Sequence, residues 1–375
     1  MTRRPPAWLT PVVTAAAMAG WCPWASAAGT AQPGAAETEQ LCRPTVPLSG
    51  YAPVASLRGA ESYGSDRAAE PFVLAVMEGA AAWHGLADRP SARATIAEMR
   101  RWAEAGALEQ VVEVGSGQSN TNSVYSLRRA LTGLLASWAV LGPAAETGAD
   151  RRTIEDWLAR LVAVQDTDTG RRASRGSAQA VSNRNNHAYL RGGVEALWAV
   201  HTGDRALAAR ALATAREALD DMRADGSLPL ETARGARALW YKRNAIASLV
   251  LIGEVLAPMG FDIWGARPDG RSLHDAVGFL VAASGDPALV AGYAAANRSP
   301  EPGTTPDRQD LGFLVPRGNH RHYMAWAEYY LRRFPKHPNA APLAALVRPS
   351  LSAARPMIDE IVGGKASCLV LPRAG

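Results

Sequence analysis

The sequence has little cysteine: only Cys22, Cys42 and Cys368 occur in 375 residues. There is no C-x-x-C pair, and neither Cys42 nor Cys368 has the neighbours of a metal or redox site. These two residues lie near opposite ends of the chain, where an oxidising compartment would allow one disulfide between them. Two unpaired thiols are an equally good expectation from the sequence alone.

Long apolar runs and blocks of like charge are also missing. Beyond the N-terminus no segment approaches the ~18 uninterrupted apolar residues of a membrane span, so we expect none. The net charge is only +5, and no Lys/Arg block resembles a nucleic-acid tail. A mildly basic cleft for an acidic ligand fits this balance better. The 47% of hydrophobic and 20% of charged residues are typical of a globular protein.

The N-terminus has the pattern of a secretory signal peptide. Arg3 and Arg4 precede a short apolar run, and an Ala-Ser-Ala triplet supplies a cleavage pattern. We therefore predict a signal peptide over residues 1–27 and export to the periplasm or the medium. Residues 28–50 are rich in Gly, Pro, Ala and Thr, and we expect an extended leader there. Residues 51–375 then form a single domain.

The rest of the chain has helical periodicity and few strand signals. Apolar residues recur at three- and four-residue spacing, as at Leu131, Leu134 and Leu135. Short connections favour a helical bundle, a solenoid or a toroid, and no internal repeat of the solenoid kind is present. Two longer irregular stretches, 165–184 and 297–319, are candidate binding loops. The predicted helices cover residues 66–86, 90–106, 122–141, 150–165, 185–202, 204–223, 233–257, 271–283, 287–296, 320–333 and 340–361.

The densest cluster of amide and imidazole groups is the stretch 183–189, Asn-Arg-Asn-Asn-His-Ala-Tyr. Adjacent helical residues point about 100° apart, so Asn186 and His187 reach one cleft together only near a helix terminus. The preceding loop supplies that terminus, which is also a favourable place for an anion. The alternative is that Asn185 or Asn186 caps the helix and that His187 packs on a neighbour.

A second polar stretch follows at residues 231–241. Arg234 and Tyr241 are seven residues apart, close to two helical turns, so a continuous helix would place both on one face. Arginine binds a carboxylate through paired hydrogen bonds, and a phenol can give or take a proton. We expect Glu231 to pair with Arg234 and to orient it. The alternative is an amphipathic helix with a solvated arginine and an interfacial tyrosine.

Together the two stretches resemble a known family. Residues 185–189 are similar to the Asn-Asn-His-Ser-Tyr core of the alginate lyases of polysaccharide lyase family 5, and residues 228–241 resemble their second motif. The separation of 47 residues between His187 and Arg234 is also similar. The resemblance covers about residues 40–335. It implies an all-α fold, an incomplete (α/α) toroid of antiparallel helical hairpins with a deep cleft.

The resemblance further implies β-elimination on a uronate polymer. Asn186 and Arg234 would hold the carboxylate, whose neutralisation lets charge delocalise into an enolate-like intermediate. His187 would assist neutralisation or act as a base, depending on which face of the sugar carries the proton. Tyr241 would be the general acid to the O4 leaving group, and also the base when proton and leaving group lie on one face. No metal or other cofactor is implied, and the expected partner is an anionic polysaccharide bound by a monomer.

Four further residues are candidates for substrate binding. Tyr63 lies in a segment that resembles the family's lid loop, and Arg171 lies in the loop before the first motif. Arg237 and Trp240 belong to the second motif. Trp240 is the best placed of the tryptophans that could stack on sugar rings, although a tryptophan at helical spacing is more often a core residue. The other tryptophans considered are Trp138, Trp157, Trp198 and Trp326.

Three departures from the family pattern leave the substrate more open than the reaction. Ser62 stands where the family has Lys, Leu190 where it has Trp, and residues 242–244, Lys-Arg-Asn, where it has His-Asn. The first interpretation is a lyase for alginate, preferring mannuronate and producing 4,5-unsaturated ends. The alternatives are a lyase for another uronate polymer, a non-catalytic exopolysaccharide-binding toroid in an export assembly, and a toroidal glycoside hydrolase, which needs two carboxylates across the cleft.

Overall fold

The computed structural model describes residues 33–58, 67–112, 121–166, 184–297 except 266 and 268, and 305–374 except 307. Two short strands, β1 (Ser56–Arg58) and β2 (Gln110–Val112), pair in parallel. No single helix in these ranges is long and apolar enough to cross a membrane, although one bent pair of helices passes the test together. The helices are α1 (Ala35–Cys42), α2 (Glu70–Leu86), α3 (Arg89–Glu104), α4 (Thr121–Leu141), α5 (Gly148–Asp166), α6 (Asn186–Thr202), α7 (Arg205–Asp221), α8 (Pro229–Thr232), α9 (Ala238–Leu256), α10 (Leu273–Gly285), α11 (Ala288–Ala294), α12 (Trp326–Arg333), α13 (Ala340–Ala354) and α14 (Ala366–Leu369).

An inner row of helices forms because their sequences are apolar on nearly every side. In α9 every residue from Ala245 to Leu256 is buried, as expected of a helix surrounded by protein. Helix α6 packs against both α4 and α9, and α4 also packs against α2. The helices α3, α5 and α7 alternate with this row along the chain and cover it, with α3 on α2 and α7 on α6. This arrangement is an incomplete (α/α) toroid, so the predicted fold class is confirmed.

Several predicted helices begin later than expected: the helix predicted over 320–333 begins at Trp326, and the one predicted over 66–86 begins at Glu70. Two further predicted helices have different ends because turn residues intervene. The helix expected over 233–257 begins only at Ala238, since residues 235–237 form a 3-10 turn. The helix expected over 340–361 ends at Ala354, where an X-Pro bond follows and prevents the chain from continuing as a helix. The later start at Ala238 changes how the second motif is built, as described below.

The two ends of the described chain are tied together. Residues 35–42, expected to be part of an extended leader, instead form α1, because its last turn buries against α2. Cys42 forms a disulfide with Cys368 across a sequence separation of 326 residues. Of the two alternatives for these cysteines, the structure therefore has the disulfide. Gly85 of α2 packs against it, since a Cβ at this position would lie 2.2 Å from Cys42 Sγ.

A buried ion pair joins the same parts of the chain. Lys365 Nζ lies 2.6 Å from Glu78 Oε2, and both side chains are fully buried. The ammonium also donates to the carbonyl of Arg43 at 2.7 Å, and Thr45 donates to the second oxygen of Glu78 at 2.7 Å. Because buried charges persist only when paired and hydrogen-bonded, this network holds the N-terminal segment, α2 and the C-terminal segment in one arrangement.

Candidate active site

The first motif forms the entrance of α6. Asn185 is the N-cap: its backbone is extended, and its side-chain oxygen accepts from His187 N at 3.0 Å. Asn186 is the first helical residue, and its Oδ1 is buried without a hydrogen-bond partner in the described part of the chain. The capping role thus falls to Asn185, which leaves the Asn186 amide available for a ligand. Asn183 lies outside the described residues.

Glu231 connects the two motifs, but not through the expected partner. Its Oε1 accepts from the backbone N of Asn186 at 2.8 Å, so the expected pairing with Arg234 is replaced by support of the α6 entrance. Its Oε2 is buried and has no hydrogen-bond partner within the described ranges. Burial raises the pKa of Glu231 to about 7, against the opposing effect of the hydrogen bond from Asn186.

His187 is held against an aromatic ring. Its imidazole is partly exposed, and its ring centroid lies 4.4 Å from that of Tyr125. Asn244 Nδ2 donates to the Tyr125 hydroxyl at 3.1 Å and so fixes this ring. Burial, together with the positive charges of Arg128 and Arg234, lowers the pKa of His187 to about 3. The imidazole is therefore neutral at pH 7, which favours a role as base over a role in charge neutralisation.

Arg234 and Tyr241 are in contact, but they do not lie on one continuous helix as the sequence predicted. Arg234 precedes the 3-10 turn of residues 235–237 and therefore does not share a helix with Tyr241. Its Cζ nevertheless lies 3.9 Å from the centroid of the Tyr241 ring. The turn folds the arginine back over the phenol, an arrangement that a cation–π contact favours. Gly235 allows the turn, with φ of +57°.

Gln309 holds this turn in place. Its Nε2 donates to the carbonyl of Gly235 at 3.0 Å, and its Oε1 accepts from Leu239 N at 3.1 Å. The neighbouring Asp310 N donates to Ala236 O at 2.7 Å. Both residues belong to the stretch 297–319 that was predicted as a binding loop. The described part of this loop therefore supports the second motif through hydrogen bonds to its turn.

The four expected substrate-binding residues divide into two groups. Arg237 and Trp240 lie together, with Arg237 Cζ 5.7 Å from the Trp240 ring centroid. Arg237 also pairs with Asp310 at 3.8 Å, and the Trp240 ring is partly exposed beside the second motif. Tyr63 and Arg171 both lie outside the described residues.

Most of the other tryptophans considered are core residues. Trp138, Trp157 and Trp326 are at most 1% exposed, so stacking on a sugar is excluded for them. Trp157 also donates its indole N–H to Ala107 O at 2.7 Å, which satisfies its polar edge inside the protein. Trp198 is partly exposed and packs on His201, on the helix that follows the first motif.

Sequence reasoning missed Tyr125 and Gln309, and it noted Arg243 only as one of the departures from the family pattern. Arg243 is fully buried in α9, and burial lowers its pKa to about 10, which still leaves it charged at pH 7. One signal for it was present: residues 242–243 are two cations at the start of an otherwise apolar helix. Tyr125 and Gln309 gave no such signal, because each is ordinary in its local sequence.

A model of the alginate lyase family matches residues 64–289, a range that includes both motifs. Among curated proteins, a polysaccharide lyase of Stenotrophomonas maltophilia (strain K279a) is 31% identical over 182 residues. This match covers 48% of the chain and 51% of the relative. The chain thus matches about half the length of this curated relative.

Solved structures of similar fold include alginate lyases. A variant of alginate lyase A1-III complexed with a tetrasaccharide has a TM-score of 0.65 and 21% identity, over 90% of both chains. The A1-III enzyme from Sphingomonas species A1 has a TM-score of 0.63 and 20% identity, over 89% of both chains. An alginate lyase from Bacteroides ovatus has a TM-score of 0.57 and 18% identity, over 77% of this chain and 73% of that one. At these identities the likeness establishes the fold.

Proposed function

Since this chain belongs to the alginate lyase family, we propose that it cleaves a polyuronate by β-elimination, with mannuronate-rich alginate as the preferred substrate. The observation that carries the proposal is the convergence of the two motifs. Asn186 and His187 open α6, Glu231 hydrogen-bonds the backbone of Asn186, and Arg234 lies over the ring of Tyr241. An amide, a neutral imidazole, a guanidinium and a phenol are thereby brought to one place.

These four groups match the needs of the reaction. Arg234 and the Asn186 amide bind the carboxylate on C5 and withdraw its negative charge, which makes the C5 proton easier to remove. The base takes this proton, the electron pair of the C5–H bond forms the C4=C5 double bond, and the C4–O4 bond breaks. A proton given to O4 completes the leaving group. The products are a chain with a new hydroxyl and a chain with an unsaturated uronate at its non-reducing end.

The geometry also suggests how the proton transfers are divided. Tyr241 donates to O4, and in mannuronate, where proton and leaving group lie on one face, its phenolate first removes the C5 proton. His187 is neutral, with Nδ1 buried and lacking a hydrogen-bond partner among the described side chains and backbone. It can therefore accept a proton from a sugar with the opposite configuration at C5.

The test is the ultraviolet absorbance of the conjugated C4=C5 uronate. Purified protein is mixed with polymannuronate, polyguluronate and a glucuronate-containing polymer, and the initial rates are compared. We expect the fastest rise with polymannuronate. No rise with any polymer would refute the proposal. Retention on immobilised polymer without a rise would indicate the binding toroid, and new reducing ends without the chromophore would indicate a hydrolase.

We also propose that the protein is exported after removal of residues 1–27 and acts as a monomer. The disulfide between Cys42 and Cys368 supports export, because such bonds persist in oxidising compartments. N-terminal sequencing of protein recovered from the periplasmic and extracellular fractions tests the cleavage. A mature chain that begins at Met1 in the cytoplasmic fraction would refute it.

A further inference from the structure

Arg243 is a buried positive charge that finds no hydrogen-bond acceptor among the described residues. Its side chain is 0% exposed, and none of its three nitrogens has a hydrogen-bond partner in the part of the chain that the structure describes. A guanidinium offers five N–H donors, and burying a charge without acceptors is strongly unfavourable. Proteins retain such features mainly at functional sites, where stability is given up for binding.

Two aromatic rings lie beside this guanidinium. Arg243 Cζ lies 4.5 Å from the ring centroid of Tyr323 and 5.7 Å from that of Trp240. Arg317 Cζ lies 4.2 Å from the same Tyr323 ring. Tyr323 and Trp240 contact each other edge to face at 5.0 Å, and both are partly exposed. Arg243 thus lies beside two rings that reach the surface, and a ligand that binds it has to displace one of them.

Arg243 adjoins the candidate active site without belonging to it. It follows Tyr241 by two residues on α9, so it projects from a different side of the helix, the side of Trp240 three residues earlier. Tyr125 connects the two places: its ring lies 4.4 Å from that of His187, and it interacts electrostatically with Arg243. An anion at Arg243 would therefore lie beside the reacting sugar rather than on it.

Positive groups outnumber negative ones in the described cluster around Arg243. Two of the neighbouring arginines share the carboxylate of Glu70, and Arg129 pairs with Glu360. Asp359 attracts Arg243, but its Oδ2 also has no hydrogen-bond partner within the described residues. Arg67 also contacts Glu70, so the described cluster contains five guanidiniums and three carboxylates, namely Arg67, Arg129, Arg243, Arg317 and Arg321 with Glu70, Asp359 and Glu360.

We propose that Arg243 binds the carboxylate of the uronate next to the one that undergoes elimination. This inference rests on the proposed function and specifies its substrate class. A carboxylate presents two oxygens to the guanidinium fork and supplies the missing negative charge. The partly exposed rings of Trp240 and Tyr323 pack against the same sugar. The site therefore selects polymers with carboxylates on consecutive sugars over polymers in which uronates alternate with uncharged sugars.

The test combines a substitution in the protein with a change in the polymer and asks whether their effects on binding affinity depend on each other. Binding is measured by calorimetry in a Tyr241→Phe background, with and without Arg243→Gln, so that the polymer is not consumed. The probes are polymannuronate and the same polymer with part of its carboxylates reduced to primary alcohols. We expect Arg243→Gln to weaken binding of polymannuronate about tenfold or more, since a charged hydrogen bond is lost. The difference should shrink to less than about twofold on the reduced polymer.

Thermal unfolding distinguishes this role from a structural one. If Arg243 serves ligand binding and not stability, Arg243→Gln leaves the unfolding temperature unchanged or raises it, because an unpaired buried charge is removed. Arg243→Lys keeps the charge without the fork and should bind polymannuronate with intermediate affinity. Arg100→Gln, at an exposed arginine of α3, is the control and should match the parent protein.

Two results would overturn the inference. One is equal affinity of the parent and Arg243→Gln proteins for polymannuronate. The other is an equal loss of affinity on both polymers together with a lower unfolding temperature, which would make Arg243 a structural residue. Neither result depends on turnover, because both are binding measurements. Failure of the proposed elimination reaction would be seen separately, as no rise in absorbance with the unsubstituted protein.

Discussion

The guanidinium carbon of Arg234 lies 3.9 Å from the centre of the Tyr241 ring, although the two residues belong to different elements. This contact fixes where a substrate carboxylate can bind relative to the phenol. In the proposed mechanism, a uronate held by Arg234 lies beside the Tyr241 hydroxyl, which is the group that protonates O4. The contact thus converts a binding interaction into the orientation that elimination requires.

Replacing Tyr241 by Phe should remove the proton transfer to and from substrate and keep the arrangement of the site. The ring still packs under Arg234, but the hydroxyl that transfers protons is lost. We expect kcat to fall by about 10²- to 10⁴-fold, the range typical of a lost acid–base group, with little change in KM. Initial rates of absorbance rise on polymannuronate give both constants.

The matched control is Tyr293→Phe, because Tyr293 also lies under an arginine, with Arg223 Cζ 4.1 Å from its ring centroid. That pair is not part of the candidate site, so its loss should leave kcat unchanged. A Tyr241→Phe protein that retains full activity would remove Tyr241 from the mechanism.

Gln309 should control activity without touching substrate. Gln309→Ala removes both hydrogen bonds that hold the turn between Arg234 and α9. We expect kcat/KM on polymannuronate to fall about 10- to 100-fold, because Arg234 is no longer fixed over Tyr241. Gln309→Glu keeps the acceptor for Leu239 N and should recover part of the loss. Gln40→Ala, at an exposed position, is the control.

A purely structural role for Gln309 makes a different prediction. Stability would then fall, while kcat of the folded fraction would stay at the parent value. Chemical denaturation and single-turnover rates, measured on the same preparations, separate the two cases.

The sequence was sufficient for the all-α class, and the family resemblance singled out the toroid, but the contact of Glu231 with Asn186 was not predicted. Apolar residues at helical spacing located most of the helices, and the proposed chemistry rests on the residue types at positions 186, 187, 234 and 241. The path between Arg234 and Tyr241 was predicted wrongly because a seven-residue spacing fits both a helix and a turn closed by a distant residue. The turn is held by hydrogen bonds from Gln309 and Asp310, about seventy residues away, which a local spacing does not reveal.

The protonation state of His187 and the environment of Arg243 could not be predicted from the sequence for a related reason. The neutral state of His187 depends on burial and on the charges of Arg128 and Arg234, which lie far from it along the chain. The buried, unsatisfied Arg243 depends likewise on packing against Tyr323. A sequence specifies which groups can titrate, whereas tertiary packing determines the environment that shifts their pKa values.

His187 should stay neutral throughout the pH range in which an ordinary histidine titrates. Because its pKa is lowered to about 3 in the folded protein, the pH dependence of kcat/KM should show no inflection near pH 6.5 from this residue. NMR of the ring nitrogens, assigned by comparison with His187→Gln, should show the neutral imidazole down to about pH 5. Titration of the His187 signal near pH 6.5 would contradict the proposed environment.

The same shift affects stability. The unfolded chain takes up a proton on this histidine below about pH 6.5, whereas the folded protein does so only near its lowered pKa. His187 therefore contributes fully to stability above pH 6.5, and this contribution is lost as the pH falls toward 3. In His187→Gln, the free energy of unfolding should depend less steeply on pH across that window.

The disulfide between Cys42 and Cys368 should stabilise the protein without affecting catalysis. It closes a loop with a sequence separation of 326 residues, so its removal should lower the free energy of unfolding by about 2–5 kcal/mol. Cys42→Ser and the double variant Cys42→Ser/Cys368→Ser should lose nearly equal amounts, because both remove the same bond. Denaturant titration with and without reductant measures the effect, and reductant should destabilise only the parent protein. Activity of the folded variants should equal that of the parent, since the bond packs on Gly85 of α2 and not on the candidate site. A variant with parental stability under oxidising conditions would show that the two cysteines do not pair in solution.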